Sequence, residues 1–451
     1  MTGEARMLPR VLSLFDFSVL SSASMGPAYS LAATMGPMVA VAGRATPVAL
    51  LALTAIMLCI AVGFARLSRI APNAGSSYAW IRNAFGIKFG AYGAWLLILS
   101  NFFATMATAI PAGIYTLDLL APTHAQNPLW DAAVGALWII GSAGLLYAGV
   151  RPTALVTTVA LLSELGVLAL SAVVAALHSH HSTVARGAGN PIFNVTLLGF
   201  LSAMTLGIWM TDGWEVSAST SEEARARDAS GRGGIAGLIL TSAILCGCIS
   251  AYMQLGTVAG FTQNAADSMT YVATLLGGRT WRTLIVTVVL ISTCAALWTT
   301  LLYLSRSIFA MGRDGLLPRP LGRLDDRSEP LNSLLTVGLS VSACELLTGF
   351  SKTAADQLTI VLNASSVFLG LLFAFSAAAA VRTFWNERGL GRVTGVLIPA
   401  LGFTALLAVL LATIGLEARN LQAYALGGLC LGIPFALWRR SAARRSRAAE
   451  Q

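Results

Sequence analysis

The sequence predicts an all-α integral membrane protein with about twelve transmembrane helices. Of its 451 residues, 56% are apolar and only 11% are charged, whereas a soluble domain carries about 25% charged residues. The apolar residues form long continuous runs, and a helix needs about 20 of them to cross the hydrocarbon core. A transmembrane β-barrel is not expected, because its strands alternate in character over segments of about ten residues.

Twelve apolar spans follow one another along the chain, separated by short polar segments. Their approximate limits are 11–41, 47–68, 90–117, 130–150, 153–177, 193–220, 233–260, 281–311, 331–350, 356–381, 393–415 and 420–438. Only Gly149–Pro152 separates the fourth span from the fifth, so merging of these two helices is the main alternative. The segment 439–451 is predicted to be a basic cytoplasmic tail.

The distribution of basic residues predicts the orientation. If the N-terminus is cytoplasmic, 23 of the 29 Lys and Arg residues fall on the cytoplasmic side of this topology. Cytoplasmic loops carry such an excess, so both termini are predicted inside, in a multi-pass protein of the cell membrane. The near-exclusive use of Arg is typical of a bacterial genome rich in G and C, which favours the bacterial inner membrane.

Several classes of function are not expected. The net charge of +9 is spread over short loops and the tail, which does not suggest a nucleic-acid surface. The six cysteines all lie in apolar runs without a CxxC pair, as expected of buried thiols rather than a metal site. No phosphate-binding loop or nucleophile with its base is present. We therefore expect no cofactor, no metal and no enzymatic activity.

Two spans are interrupted at corresponding positions. The first contains Ser24-Met25-Gly26-Pro27 and the sixth contains Thr211-Asp212-Gly213-Trp214. Gly and Pro weaken a helix, and Pro removes an N–H. Two breaks five spans apart indicate an inverted repeat with a binding site near the membrane midplane. The alternative is that these are ordinary Gly and Pro residues, which membrane helices tolerate.

Four stretches resemble the amino acid–polyamine–organocation permease superfamily. They are the broken first span from Ser24 to Tyr29, the segment Pro72–Tyr78 followed by Phe85-Gly86, Gly213-Trp214-Glu215 followed by Ser221-Glu222-Glu223, and Met311–Pro318. The resemblance implies a LeuT-like fold, a five-plus-five inverted repeat with broken helices 1 and 6. It divides the single transporter domain into a first repeat (1–177), a second repeat (193–381) and two additional helices (393–438).

The resemblance also implies a secondary active transporter of amino acids or related amines. In such folds the half-helix N-termini attract a substrate carboxylate, while exposed carbonyls receive the ammonium. By resemblance Ser24, Met25 and Gly26 supply this backbone, and Trp209 closes over the substrate as a gate. The chain departs from the family pattern at Pro27, which has no N–H to donate. This departure makes an amine without a carboxylate a credible substrate.

Further candidates are polar or aromatic residues within the spans. Asp212 is an ionisable group at membrane depth, which marks a functional site by default, and its alternative is a helix cap. Glu164 and Glu215 are the candidates for proton coupling, and structural hydrogen bonding is the alternative for both. The remaining predicted substrate contacts are Asn101, Met210, Thr211, Gly213 and Trp298.

Several properties stay open at the level of sequence. Proton symport, sodium symport and exchange are all compatible with the pattern. The predicted partners are the small-molecule substrate, the lipid bilayer and a co-transported proton or sodium ion; no obligate protein partner is expected. The alternative function is an inorganic cation transporter, for example of potassium, on the same fold, because Asp16, Glu164 and Asp212 are acids within spans.

Overall fold

The described residues of the protein are helical and connected by short segments. The computed structural model describes residues 8–125, 127–179, 195–265, 267–414 and 427–437. Within these ranges no strand is formed, and the one β-type contact is an isolated bridge between Leu12 and Ala224. The predicted all-α class is confirmed.

The helices follow the order of the predicted spans. They are α1 (Leu14–Ser24), α2 (Pro27–Ala42), α3 (Thr46–Ile70), α4 (Ser76–Phe85), α5 (Ile87–Leu120), α6 (Pro128–Tyr147), α7 (Val150–Ser179), α8 (Leu197–Met210), α9 (Val216–Ser219), α10 (Ala229–Leu255), α11 (Val258–Gln263), α12 (Ser268–Leu276), α13 (Gly278–Arg313), α14 (Leu331–Thr348), α15 (Ala354–Phe384), α16 (Leu390–Arg392), α17 (Ile398–Ile414) and α18 (Gly427–Leu437). A π-helical turn, Val393–Leu397, joins α16 to α17.

Among the described residues, nine helices are long and apolar enough to cross a membrane. The first of these is a continuous apolar segment, Leu14–Ile70, which contains α1, α2 and α3 and corresponds to the first and second predicted spans. Two shorter apolar helices, α8 and α18, lie where the sixth and twelfth spans are predicted. The number twelve stays a prediction, since residues 420–426 and the basic tail 439–451 lie outside the described residues.

Three short helices lie in segments that were expected to be loops. α4 follows the second span, and its Tyr78, Trp80 and Ile81 are buried. α11 and α12 follow the seventh span and begin at side-chain caps from Thr257 and Asp267. Hydropathy over a membrane-length window does not detect such helices, because they are too short to cross the bilayer.

Both predicted breaks are present. The first span is divided into α1 and α2, and the sixth into α8 and α9. The halves have different neighbours: α1 packs against α10, whereas α2 packs against α8. The long helices α13 and α15 both pack against α5. This arrangement places the ends of four half-helices in the interior of the bundle.

The start of α1 shows the role of Asp16, one of the three acids within spans that the cation-transport alternative rests on. Ser13 is the N-cap of α1, and its hydroxyl and backbone N–H both donate to the Asp16 carboxylate, at 2.7 and 2.8 Å. The pair forms a capping box, which satisfies the free N–H groups of a helix start. Asp16 is therefore a structural cap, away from the two breaks.

Candidate functional site

The two broken spans contact each other through their interrupted segments. A methyl group built on Gly213 would lie 2.6 Å from the carbonyl carbon of Ser24 and 2.8 Å from its Oγ. The hydroxyl of Ser21 donates to the carbonyl oxygen of Trp214 at 2.9 Å. The end of α1 and the turn before α9 are thus in direct backbone contact, and the predicted residues Ser24 and Gly213 are brought together.

The first break depends on a glycine in the left-handed conformation. Gly26 has φ +53° and precedes Pro27, the first residue of α2. Glycine adopts this conformation without steric cost, and proline suits a first helical turn. The Met25 carbonyl accepts the Ser30 hydroxyl at 2.6 Å. One of the exposed carbonyls expected at this break is therefore already hydrogen-bonded within the chain.

The second break is a turn over Thr211–Glu215 that centres on Gly213, with φ +108°. Its carboxyl groups interact: Asp212 and Glu215 lie close enough to influence each other electrostatically. Glu215 Oε2 also accepts the backbone N–H of Gly213 at 3.1 Å. The residues between these two acids form a turn, and the turn brings their carboxyl groups close together.

Glu164 lies at the first break, although it belongs to α7. Its Oε1 accepts the backbone N–H of Ala28 at 2.7 Å and the hydroxyl of Ser292 at 2.5 Å. Ser292, on α13, in turn accepts the backbone N–H of Tyr29 at 3.1 Å. Glu164 is fully buried, and within the described part of the chain its Oε2 has no hydrogen-bond partner. This acid is therefore at the N-terminus of α2, where a helix attracts negative charge.

Trp209, Met210 and Thr211 line the end of α8 and are all buried. Trp209 is 7% exposed and lies beside the Tyr29 hydroxyl, but its indole N–H makes no hydrogen bond of standard geometry. Tyr29 instead donates to the Ala107 carbonyl at 2.7 Å. The Trp209 ring thus lies between α8 and α2, and its role as a gate stays a prediction.

Asn101 and Trp298 lie on α5 and α13. The Asn101 side-chain N–H donates to the Leu97 carbonyl at 3.2 Å, a bond within α5 rather than between helices. The Trp298 indole donates to the Thr157 hydroxyl at 2.9 Å and packs against Ala23 and Ala160. Both side chains are already satisfied by the protein, and their contact with a substrate stays a prediction.

Comparison with known proteins identifies the family. The family model described as "Amino acid permease" matches residues 12–425, and these residues include both breaks and all four stretches that carry the resemblance. The chain belongs to the amino acid permease family. It is therefore a multi-pass membrane transporter rather than an enzyme.

Two curated relatives and one solved structure illustrate the similarity. The branched-chain amino acid permease BcaP of Lactococcus lactis subsp. cremoris (strain MG1363) is 25% identical over 300 residues, which cover 62% of this permease and 63% of BcaP, less than two thirds of its length. An uncharacterized transporter of Mycobacterium tuberculosis (strain ATCC 25618 / H37Rv) is 25% identical over 381 residues, 81% of each chain. The crystal structure of MhsT in complex with L-phenylalanine aligns with a TM-score of 0.61 and 16% identity, over 91% of this permease and all of MhsT. At that identity the structure shows the fold alone, and it confirms the LeuT-like architecture.

The permease has a buried ion-pair cluster that the sequence did not predict. Arg306, on α13, contacts Glu223 at 3.0 Å and Glu329 at 2.7 Å, and all three side chains are at most 6% exposed. Nearby, Arg313 pairs with Glu222 at 2.6 Å. These residues are called the Arg306 cluster below. The available signal was an Arg within an apolar span, which is rare and marks function or pairing.

Three of the four stretches that carry the family resemblance converge on this cluster. The Ala74 N–H donates to Glu222 at 2.9 Å, which ties the segment after α3 to the exit of the sixth span. Arg82 pairs with Asp314 at 2.5 Å, which ties α4 to the end of α13. Ion pairs and a hydrogen bond thus connect distant parts of the chain at these segments.

Charge in the buried part of the Arg306 cluster is only partly balanced, because the Arg306 guanidinium faces the carboxyl groups of both Glu223 and Glu329. Burial raises the pKa of Glu223, and the neighbouring Arg306 lowers it only in part. Burial likewise raises the pKa of Glu329. Both groups lie in connections outside the spans, and each therefore holds a proton more readily here than it would in water.

Proposed function

We propose that this permease carries an amino acid or a related amine across the cytoplasmic membrane by alternating access. The observation that carries the proposal is the meeting of two interrupted helices, with Gly213 against Ser24 and the acids Asp212 and Glu215 in the same turn. Interrupted helices that meet inside a bundle are the binding sites of this transporter architecture. Their half-helices provide backbone groups and buried charge for a polar solute.

The packing of the half-helices supports a rocking motion. α1 packs against α10, and α2 packs against α8, so the two halves of the first span belong to different groups of helices. Rotation at Gly26 and Gly213 would open one end of the path and close the other. The excess of basic residues supports a cytoplasmic position for the Arg306 cluster. In this conformation the cluster closes the cytoplasmic end.

The buried acids favour transport coupled to a proton gradient. Glu164 and Glu215 are fully buried and lie at the first and second break, respectively. Either acid can carry a proton between the two sides as the surrounding helices move. Sodium symport and exchange are the competing forms, and transport measured with imposed proton and sodium gradients separates them.

The alternative function, inorganic cation transport, predicts potassium flux without any organic solute. The same buried acids would serve it, but the match to the amino acid permease family runs over residues 12–425 and favours an organic solute. Potassium flux in proteoliposomes without amines or amino acids would support the alternative and count against the proposed function.

Uptake of radiolabelled solutes into proteoliposomes tests the proposal. The panel includes leucine and valine, because BcaP is named a branched-chain amino acid permease, together with simple amines. Asp212→Asn is expected to abolish solute binding and uptake while the protein remains folded, because the substrate ammonium loses its charged partner. Asp118→Asn is the matched control, since Asp118 forms a partly exposed ion pair with Arg282 at 3.2 Å.

Unchanged affinity in Asp212→Asn, with uptake equal to that of Asp118→Asn, would remove Asp212 from the binding site. Failure of every organic solute to bind or to enter the vesicles would contradict the proposed function as a whole.

A further inference from the structure

The N-terminus of α2 is already satisfied by the protein's own groups. A helix start leaves its first N–H groups without partners, and in this fold those groups attract a carboxylate. Here Pro27 has no N–H, and the Ser30 N–H bonds to the Gly26 carbonyl at 2.7 Å. Only the N–H groups of Ala28 and Tyr29 remain for an anion.

Both remaining N–H groups are engaged by side chains from other helices. The Ala28 N–H donates to Glu164 Oε1 at 2.7 Å. The Tyr29 N–H donates to the Ser292 hydroxyl, which itself donates to the same Glu164 oxygen. All four residues are at most 2% exposed. A carboxylate of the chain therefore occupies the place that a substrate carboxylate would need.

The second break repeats this arrangement. The Gly213 N–H donates to the Glu215 carboxylate at 3.1 Å, and the Val216 N–H donates to the Gly213 carbonyl at 3.1 Å. Neither segment 21–30 nor segment 209–217 contains a Lys, Arg or His residue. The two breaks thus present three acids and no basic side chain, which suits a cation and repels an anion.

We propose that Glu164 takes the place of the substrate carboxylate, so that the permease selects an organic amine without a carboxyl group. The inference rests on the proposed function and names its substrate class. The ammonium of the solute pairs with Asp212 and Glu215 at the second break. An α-amino acid would bring its carboxylate against the buried Glu164 and find no free N–H at α2.

A thermal-stability panel on the purified full-length protein tests this inference. Each amino acid is paired with its decarboxylated amine: leucine with isoamylamine, phenylalanine with phenethylamine, ornithine with putrescine and arginine with agmatine. A ligand that binds only the folded state raises the unfolding temperature. At least one amine is expected to raise that temperature, and its parent amino acid at equal concentration is not.

Removal of the internal carboxylate should reverse the preference. Glu164→Ala frees the Ala28 N–H, and the affinity for an amino acid should rise by about 10- to 100-fold, the range for a hydrogen bond to a charged group. Glu345→Ala is the matched control, because Glu345 is also a fully buried acid but lies on α14, where neither of its oxygens has a hydrogen-bond partner among the described residues. No gain is expected there. Glu164→Val, which also removes the carboxylate and frees the Ala28 N–H but leaves a smaller cavity, provides a second variant if Glu164→Ala does not fold.

The possible outcomes separate the inference from the function on which it rests. The inference would be overturned if amino acids raised the unfolding temperature of the unmodified protein as much as their amines do, or more. The proposed function would then remain intact. A folded Glu164→Ala or Glu164→Val variant without any gain for amino acids would also overturn the inference. If no amine and no amino acid binds or is transported, both the inference and the proposed function fail.

Discussion

Substitution of Gly213 by alanine tests whether the two breaks touch. A Cβ at this position would lie 2.6 Å from the carbonyl carbon and 2.7 Å from the carbonyl oxygen of Ser24. These are backbone atoms, which cannot rotate away as a side chain does. The backbone of Gly213 also has φ +108°, which residues with a Cβ rarely adopt. The substitution therefore combines a steric clash with backbone strain.

The magnitude follows from these two effects. Strain at an unfavourable backbone conformation costs about 1–3 kcal/mol, and an extra methyl group in a well-packed interior costs about 1–3 kcal/mol. Gly213→Ala should thus destabilise the fold by about 2–6 kcal/mol. It should also lower solute uptake strongly, because separation of the breaks displaces Asp212 and Glu215.

The control is Gly247→Ala. Gly247 lies within α10, and a Cβ there would meet no atom within 4 Å. An alanine in the middle of a helix is favoured over glycine by about 0.5–1 kcal/mol, so this variant should match or slightly exceed the stability of the unmodified protein. Unfolding temperature and uptake are measured for both variants. Equal values for Gly213→Ala and Gly247→Ala would refute the contact between the breaks.

Two further predictions concern the Arg306 cluster. Arg306→Met leaves Glu223 and Glu329 buried without a cation and should lower the free energy of unfolding by about 3–5 kcal/mol. Arg282→Met removes a more exposed ion pair and should lower it by less than about 1 kcal/mol. Similar losses of unfolding temperature in the two variants would contradict this prediction. In an open conformation water would reach Glu223, and its pKa would fall to the ordinary value of about 4.3. The closed conformation, in which the pKa of Glu223 is raised, therefore binds the proton more tightly. Acidification from neutral pH towards about pH 4.3 should therefore increase the population of the closed conformation. The population is measured from the distance between two spin labels, attached to cysteines that replace Arg227 and Arg319 in a protein without its native cysteines. Glu223→Gln should weaken this pH dependence, and the double variant Glu223→Gln/Glu329→Gln should abolish it, because the pKa of Glu329 is raised in the same direction. A shift towards the open form on acidification would contradict the proposed sign.

Hydropathy determined most of the secondary structure in advance. In lipid every backbone polar group must be satisfied within the segment, so long apolar runs can only be helices. The predicted interruptions at Gly26 and Gly213 were confirmed for the same reason, since glycine and proline disturb an otherwise uniform helix. The short helices α4, α11 and α12 escaped the prediction because they do not cross the bilayer and leave no long apolar run.

The candidate site was predictable only in part. The sequence by itself identified Asp212, Glu215 and Glu164 as acids at membrane depth, because charge stands out against an apolar background. It also marked Pro27 as the loss of an N–H donor. Only the tertiary structure showed that Glu164 accepts the backbone N–H of Ala28, although the two residues are 136 positions apart in the chain. Which helix ends meet is decided by packing among helices that are all similarly apolar, and this information is not local to any segment of the sequence.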